Sequence, residues 1–302
     1  MTSSLFRLLL IALFLVSGAL GAAADGLQRF ERELLPKIQK GRLTYEKASA
    51  LGADGFVLER VVVLSEPAAG RPSAPALRVA RLEVEAIDHR GFQAGEARFA
   101  KVTAKGLVLL EAGEYGAEAK RYGFSGKPTD ARLDYRYDTA AQVLTVNHLD
   151  VATAGYGRLI LEAVFEKVPS LRDTRLLNAT VTIRSLRLVY EDQSGLRQVL
   201  HGIGQRNGKS EDAISREWLT TLGVASSGKG QRTQPVADAL ASFLQDYRQP
   251  KGPITVTMRP PQPTSFGTML GLLFLPDPAQ LLGASASYPG TRPSAAASIL
   301  AR

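Results

Sequence analysis

Cysteine is absent from the 302 residues, which excludes disulfides, thiolate nucleophiles and thiolate-ligated metals. Histidine is nearly as scarce. His89, His148 and His201 lie far apart in sequence, with no H-x-x-x-H pair to begin a zinc site. No G-x-S-x-G elbow is present for a serine hydrolase. Beyond residue 24 no apolar run is long enough to span a bilayer, and the nearest, Gly271 to Leu275, is stopped by Asp277 and Pro278. Lys and Arg exceed Asp and Glu, 37 against 29, yet no block of like charge occurs.

Several motifs come close to chemistry and fall short of it. Gly208-Lys209-Ser210 lacks the glycine that a phosphate loop needs five residues upstream, where Ile203 stands. Gly202-Ile203-Gly204 with Gly208 misses the dinucleotide fingerprint by one residue and has no strand before it. Gly208 reads as a helix stop and Ser210 as the next cap. Asp134 and Asp138 flank Arg136 on one strand face; the arginine keeps both ionised and denies glycoside hydrolysis its protonated acid. Asn178-Ala179-Thr180 matches a glycosylation sequon. The pattern predicts no enzyme, no cofactor and no metal.

What the chain does have begins at its start. Arg7 precedes an uninterrupted apolar run, Leu8 to Val16, and Ser17 to Ala24 is small, ending Ala22-Ala23-Ala24 before Asp25. That is the layout of a secretory signal peptide over residues 1–24 with an A-x-A exit. The alternative, an uncleaved inner-membrane anchor, would have only about 17 residues for the hydrocarbon layer, the lower limit for a span. The reading therefore places the protein in the periplasm, with the lipoprotein route closed because no Cys follows the run. The net charge of +8 then points to an anionic envelope component, lipid headgroup or glycan, and not to nucleic acid.

From residue 25 the pattern predicts three parts. Residues 25–190 form an N-terminal helix plus an antiparallel sheet. Leu27, Phe30, Leu34 and Ile38 recur at helical spacing, with Pro36 inside the run and Gly41 at its end. From Leu43 to Tyr190 the period is two: Leu82, Val84 and Ala86 oppose Arg81, Glu83 and Glu85, and Leu159, Leu161, Ala163 and Phe165 oppose Arg158, Glu162 and Glu166. Short turns at 52–55, 89–91, 138–141 and 155–157 cannot hold crossover helices, so the strands pair as a meander. Between Val181-Ile183 and Leu186-Leu188-Tyr190 the apolar positions change phase, which predicts either a β-bulge near Arg184 or a strand that crosses from one packing environment to another. Residues 191–288 are mainly helical with one strand. Ser194, Ser210 and Thr233 open helices, Ile214, Trp218 and Leu222 face inward, Gly223 stops the second helix, and Asp277 caps a last short helix closed by Gly283. Ile254, Val256 and Met258 alternate as a strand, and Thr264 to Leu275 reads as a buried helix or strand. Residues 289–302 read as a disordered tail.

The stretches Leu133 to Asp138, Leu144 to Val146, Gly157 to Leu161 and Leu186 to Asp192, with Pro260-Pro261-Gln262-Pro263 and Asp277-Pro278, resemble exported proteins of Gram-negative envelopes in the style of the AsmA-like group. The resemblance covers roughly residues 43–285, and the chain is much shorter than the bridging members. It implies a long antiparallel sheet curving into a lipid-accommodating groove, with no catalytic residues to carry over.

The fold class expected is α+β, a curved antiparallel β-meander with an N-terminal helix and a C-terminal helical cap. The function expected is binding of a lipid or other apolar ligand by an exported, non-enzymatic envelope protein, with Leu82, Val84, Leu159, Leu161 and Phe165 facing the ligand. The alternative is a scaffold that docks another envelope protein through an exposed strand edge.

Overall fold

Long period-two segments become long strands in the computed structural model of the chain. The structure describes residues 26–36, 42–65, 73–93, 96–111, 116–121, 123–171, 181–265, 268–269 and 275–292. Residues 1–24, expected to be a signal peptide, the sequon at 178–180 and residues 293–302 lie outside the described residues. So does most of the apolar segment after Ser265. The chain divides into two compact units, residues 1–138 and 139–302.

The first unit opens with a helical turn, α1 (Gly26–Arg29), that widens into a π-helix over Phe30–Leu34. Strands β1 (Leu43–Thr44), β2 (Lys47–Leu51), β3 (Gly55–Leu64), β4 (Pro75–Ile87), β5 (Phe99–Leu109) and β6 (Thr129–Asp138) follow, with short helices α2 (His89–Gln93) and α3 (Gly116–Arg121) between them. Every pairing is antiparallel, and β3, β4, β5 and β6 run as a meander. The expected tight turn at 89–91 is instead helix α2, because the Asp88 carboxylate receives the Gly91 N–H at 3.1 Å and Asp88 O receives that of Phe92.

Phe30 and Leu34 are almost fully buried, and the Phe30 ring stacks on Phe56 of β3 at 4.4 Å. This contact carries the N-terminal helix onto the sheet's apolar face. Gly26 permits the close approach. Its N–H donates to Ala53 O at 3.1 Å, and a Cβ there would sit 2.2 Å from the Asp54 carbonyl. The opposite face is a mesh of ions. Arg81 reaches Glu59 and Glu83, and Lys101 reaches Glu85.

The second unit comprises β7 (Val143–Thr153), β8 (Gly157–Glu166), β9 (Thr182–Asp192), α4 (Gly195–Asn207), α5 (Glu211–Ser226), α6 (Thr233–Gln245), β10 (Ile254–Met258), β11 (Thr264–Ser265), α7 (Pro278–Leu281) and β12 (Ala284–Ser287). Its sheet is again antiparallel, in the order β7, β8, β9, β10, β12. The α+β class holds, with the N-terminal helix, the long strands and the C-terminal helices in the expected order, but residues 191–288 carry three strands, β10, β11 and β12, where the pattern predicts one. The bulge falls where the phase change placed it. Val164 pairs with Ser185 and Phe165 with Ile183, leaving Arg184 as the extra residue.

Four local expectations need correction. Ser194 does not cap α4: Asp192 Oδ1 receives the Leu196 N–H at 3.0 Å, while Ser194 Oγ donates to Gly155 O. Helix α5 runs through Gly223 to Ser226. Its buried stripe is Ile214, Ser215, Leu219 and Gly223, so Trp218 faces outward, 38% exposed. The start of the tail is docked: Arg292 N–H donates to Ser242 Oγ at 2.9 Å, and its guanidinium meets Asp246. Ser210 and Asp277 do cap their helices, receiving the Ala213 and Gln280 N–H groups.

Candidate functional site

Leu82 and Val84 belong to the first unit. Leu82 stands between Leu58 and Ala104, partly buried, and Val84 stands between Phe56 and Val102, closed from solvent. Leu159, Leu161 and Phe165 descend one face of β8 in the second unit. Phe165 lies in a buried row with Leu144 and Ile183. Leu161 lies between Leu149 and Leu188, and Leu159 between Val151 and Tyr190.

Register extends that face beyond β8. Leu188 pairs with Val256, Leu186 with Met258, and Tyr190 with Ile254. Helix α6 covers the end of the face nearest Tyr190. Phe243 and Ala239 pack with Ile254 and Tyr288, and Leu240, Tyr190, Val256 and Ala286 adjoin them. The Phe243 ring meets Tyr190 and Tyr288 edge-on at 6.0 and 5.3 Å. Away from that cover, Leu159, Leu161, Leu186, Leu188 and Met258 stay partly exposed. Leu186, Leu188 and Met258 were visible in the sequence as strand residues. Only the register sets them beside Leu161.

The second unit also has a polar cleft. The cleft, of about 350 Å³, is lined by Arg197, His201, Gln205, Lys209, Ser210, Glu211, Asp212 and Arg248. Its ionisable groups engage one another. Glu211 receives Arg197 and His201 Nδ1, both at 3.1 Å, and the other His201 nitrogen meets Gln205 at 2.9 Å. Asp212 receives the Tyr247 hydroxyl at 2.5 Å and Arg248 at 2.8 Å. The tyrosine hydrogen bond, aided by Arg248 and Arg216, holds Asp212 below the usual carboxylate range. Lys209 meets Glu217, and Ser210 Oγ is used as a cap. These bonds tie α4 to α5 and α5 to Tyr247 and Arg248.

One further buried titratable pair stands in the first unit. Burial tends to raise the Asp88 pKa, but the Arg98 guanidinium at 2.6 Å and the Gly91 and Arg98 N–H groups hold it below its ordinary value. Beside it, His89 is buried with both ring nitrogens unpartnered. Among the described residues no three His, Asp or Glu side chains gather closely enough to hold a metal ion. No described helix is long and apolar enough to cross a membrane.

No curated protein matches the chain. Over residues 140–288, just under half its length, the chain is similar to a family whose description is "Uncharacterized protein", and that stretch lies within the second unit, the one that carries the leucine face and the polar cleft.

Proposed function

We propose that the protein is an exported, non-enzymatic envelope protein that binds a lipid or other apolar ligand on the leucine face of its second unit. The observation that carries this reading is the row Leu159, Leu161, Leu188, Leu186 and Met258. These side chains lie on one sheet face, in register, beyond the cover of α6. Contiguous, half-open aliphatic surface rimmed by polar residues is what a hydrocarbon chain needs. The leader-like N-terminus and the resemblance to AsmA-like envelope proteins support the same reading.

Solvent extraction of the purified protein followed by mass spectrometry tests it. Wild type is expected to yield a lipid in near-stoichiometric amount. The double variant Leu161→Glu/Leu188→Glu, checked for an unchanged circular dichroism spectrum, is expected to yield none. Wild-type protein that stays empty, both as isolated and after incubation with envelope lipid, overturns the proposal.

A second reading, docking of another envelope protein by strand addition, is favoured by β12. Ala284-Ser285-Ala286-Ser287 ends the sheet order and carries no charge or proline to discourage pairing. An Ala286→Pro variant, which removes an N–H pointing away from β10, should then lose a partner that wild type recovers from membranes.

A further inference from the structure

Among the described residues, Phe99, Trp218, Val224, Leu275 and Leu281 are the large hydrophobic side chains left exposed. Four of the five belong to the second unit. Val224 is 61% exposed near the end of α5, and Leu275 and Leu281, both 42% exposed, flank the start of α7. Backbone and side-chain bonds stitch the loop that follows α5 to the start of α7, forming a corner. Gly230 N–H donates to Pro276 O at 2.8 Å, and Lys229 Nζ donates to Leu275 O at 2.7 Å. Thr233 Oγ1 donates to Asp277 Oδ1 at 2.6 Å, and Ala279 N–H donates back to that hydroxyl.

Part of the positive charge on the sheet faces is paired. Arg81, Lys101, Arg158, Arg184 and Arg187 each face a carboxylate across neighbouring strands. Lys229, Arg232 and Arg259 have no carboxylate partner among the described residues. Arg259 joins the corner through its N–H, which donates to Gly283 O, two residues past Leu281. The one acid present, Asp277, is engaged by Thr233 and by the Arg232 and Gln280 N–H groups. Aliphatic side chains standing in water inside a rim of unneutralised cations match the interface of a negatively charged bilayer. There hydrocarbon lies just beneath phosphate.

We propose that this corner docks the protein on an anionic lipid surface, with Val224, Leu275 and Leu281 entering the headgroup–acyl boundary and Lys229, Arg232 and Arg259 meeting phosphates. The surface is separate from the leucine face and stands without it. The test is co-sedimentation with vesicles of phosphatidylglycerol and phosphatidylcholine against vesicles of phosphatidylcholine alone. Trp218, the single tryptophan, sits on α5 and gives a second readout through its emission.

Wild type is expected to bind the anionic vesicles, with release by salt, and to shift Trp218 emission to the blue. Val224→Glu/Leu281→Glu and Lys229→Gln/Arg232→Gln, each checked for an unchanged circular dichroism spectrum, are each expected to lower partitioning about tenfold or more. Leu161→Glu/Leu188→Glu is expected to bind vesicles as wild type does, which separates this result from the ligand test. No binding to anionic vesicles, equal binding to neutral ones, or binding unmoved by the corner variants overturns the proposal.

Discussion

Arg60 in β3 and Gly106 in β5 hold the same left-handed backbone, φ +52° and +61°, on either side of Ala80 in β4. Before Arg60 the successive residues Phe56, Val57 and Leu58 of β3 are buried; after it the buried ones alternate, Val61 and Val63. The pairing register of β3 with β4 is the same on both sides. On the β6 side the gap is filled by Asp130, whose carboxylate receives the Gly106 N–H at 2.8 Å. A methyl group at Gly106 would meet the Ala80 Cβ at 3.0 Å in a backbone region L-residues avoid. Gly106→Ala is therefore expected to destabilise by about 1–2 kcal/mol in urea titrations. An unchanged midpoint would show that the crease relaxes freely.

His89 makes a second prediction at the same scale. Its burial, and then the nearby Arg29 charge, lower its pKa against the opposing pull of Glu33 and Asp54. The folded state therefore binds this proton less readily than the unfolded chain, whose imidazole titrates near 6.5. Stability is complete above that pH and falls as the pH drops through it toward the folded value. The melting temperature of wild type is expected to decline between pH 7.5 and 5.5, and His89→Leu is expected to flatten that decline. Parallel curves for the two proteins would assign the effect elsewhere.

At the scale of elements, the start of α4 shows how one carboxylate outcompetes a nearer hydroxyl. Asp192 sits on the last residue of β9, buried, and its Oδ1 receives both the Tyr190 hydroxyl and the Leu196 N–H. Ser194 has φ 165°, extended backbone that aims its hydroxyl at Gly155 and away from the helix. Asp192→Ala should cost about 1–2 kcal/mol, and Ser194→Ala a few tenths, in thermal unfolding. The reverse ranking would restore Ser194 as the cap. In sequence, Ser194 beside Gly195 has the expected look of a cap. The strand-borne aspartate becomes the cap only because the chain turns sharply at the sheet edge.

Helix α5 teaches the same lesson on its faces. Ile214, Trp218 and Leu222 are spaced for burial, yet the neighbours α4 and α6 present Leu200, Ala237, Ala241 and Leu244 to Ile214 and Leu219. Trp218 falls outside that seam. The helix runs past Gly223 because that glycine is buried against its neighbours and not in a turn. The phase change around Arg184 leaves two readings, a bulge or a strand crossing between packing environments, and the register decides for the bulge.

At the scale of the molecule, the two compact units differ in their cover. The first unit uses Phe30 and Leu34 of the N-terminal helix. The second has two clusters of its own, one among α4, α5 and α6 and one joining α6 to β10 and Tyr288. A chain of residues 139–292 is expected to unfold cooperatively in urea by itself, with the circular dichroism of a mixed α+β fold. A broad, non-cooperative transition would show that these clusters do not suffice.

Alternation of apolar residues, short polar turns and helix caps determined the strand identities, the antiparallel pairing and the order of helices, because each depends on neighbours a few residues apart. Tertiary structure alone decided which apolar residues remain half-open. Leu161 and Phe165 are alike along β8, but Phe165 lies in a closed row and Leu161 does not. Solvent access depends on the reach of α6 and on the register of β9 and β10, which bring together residues nearly a hundred positions apart.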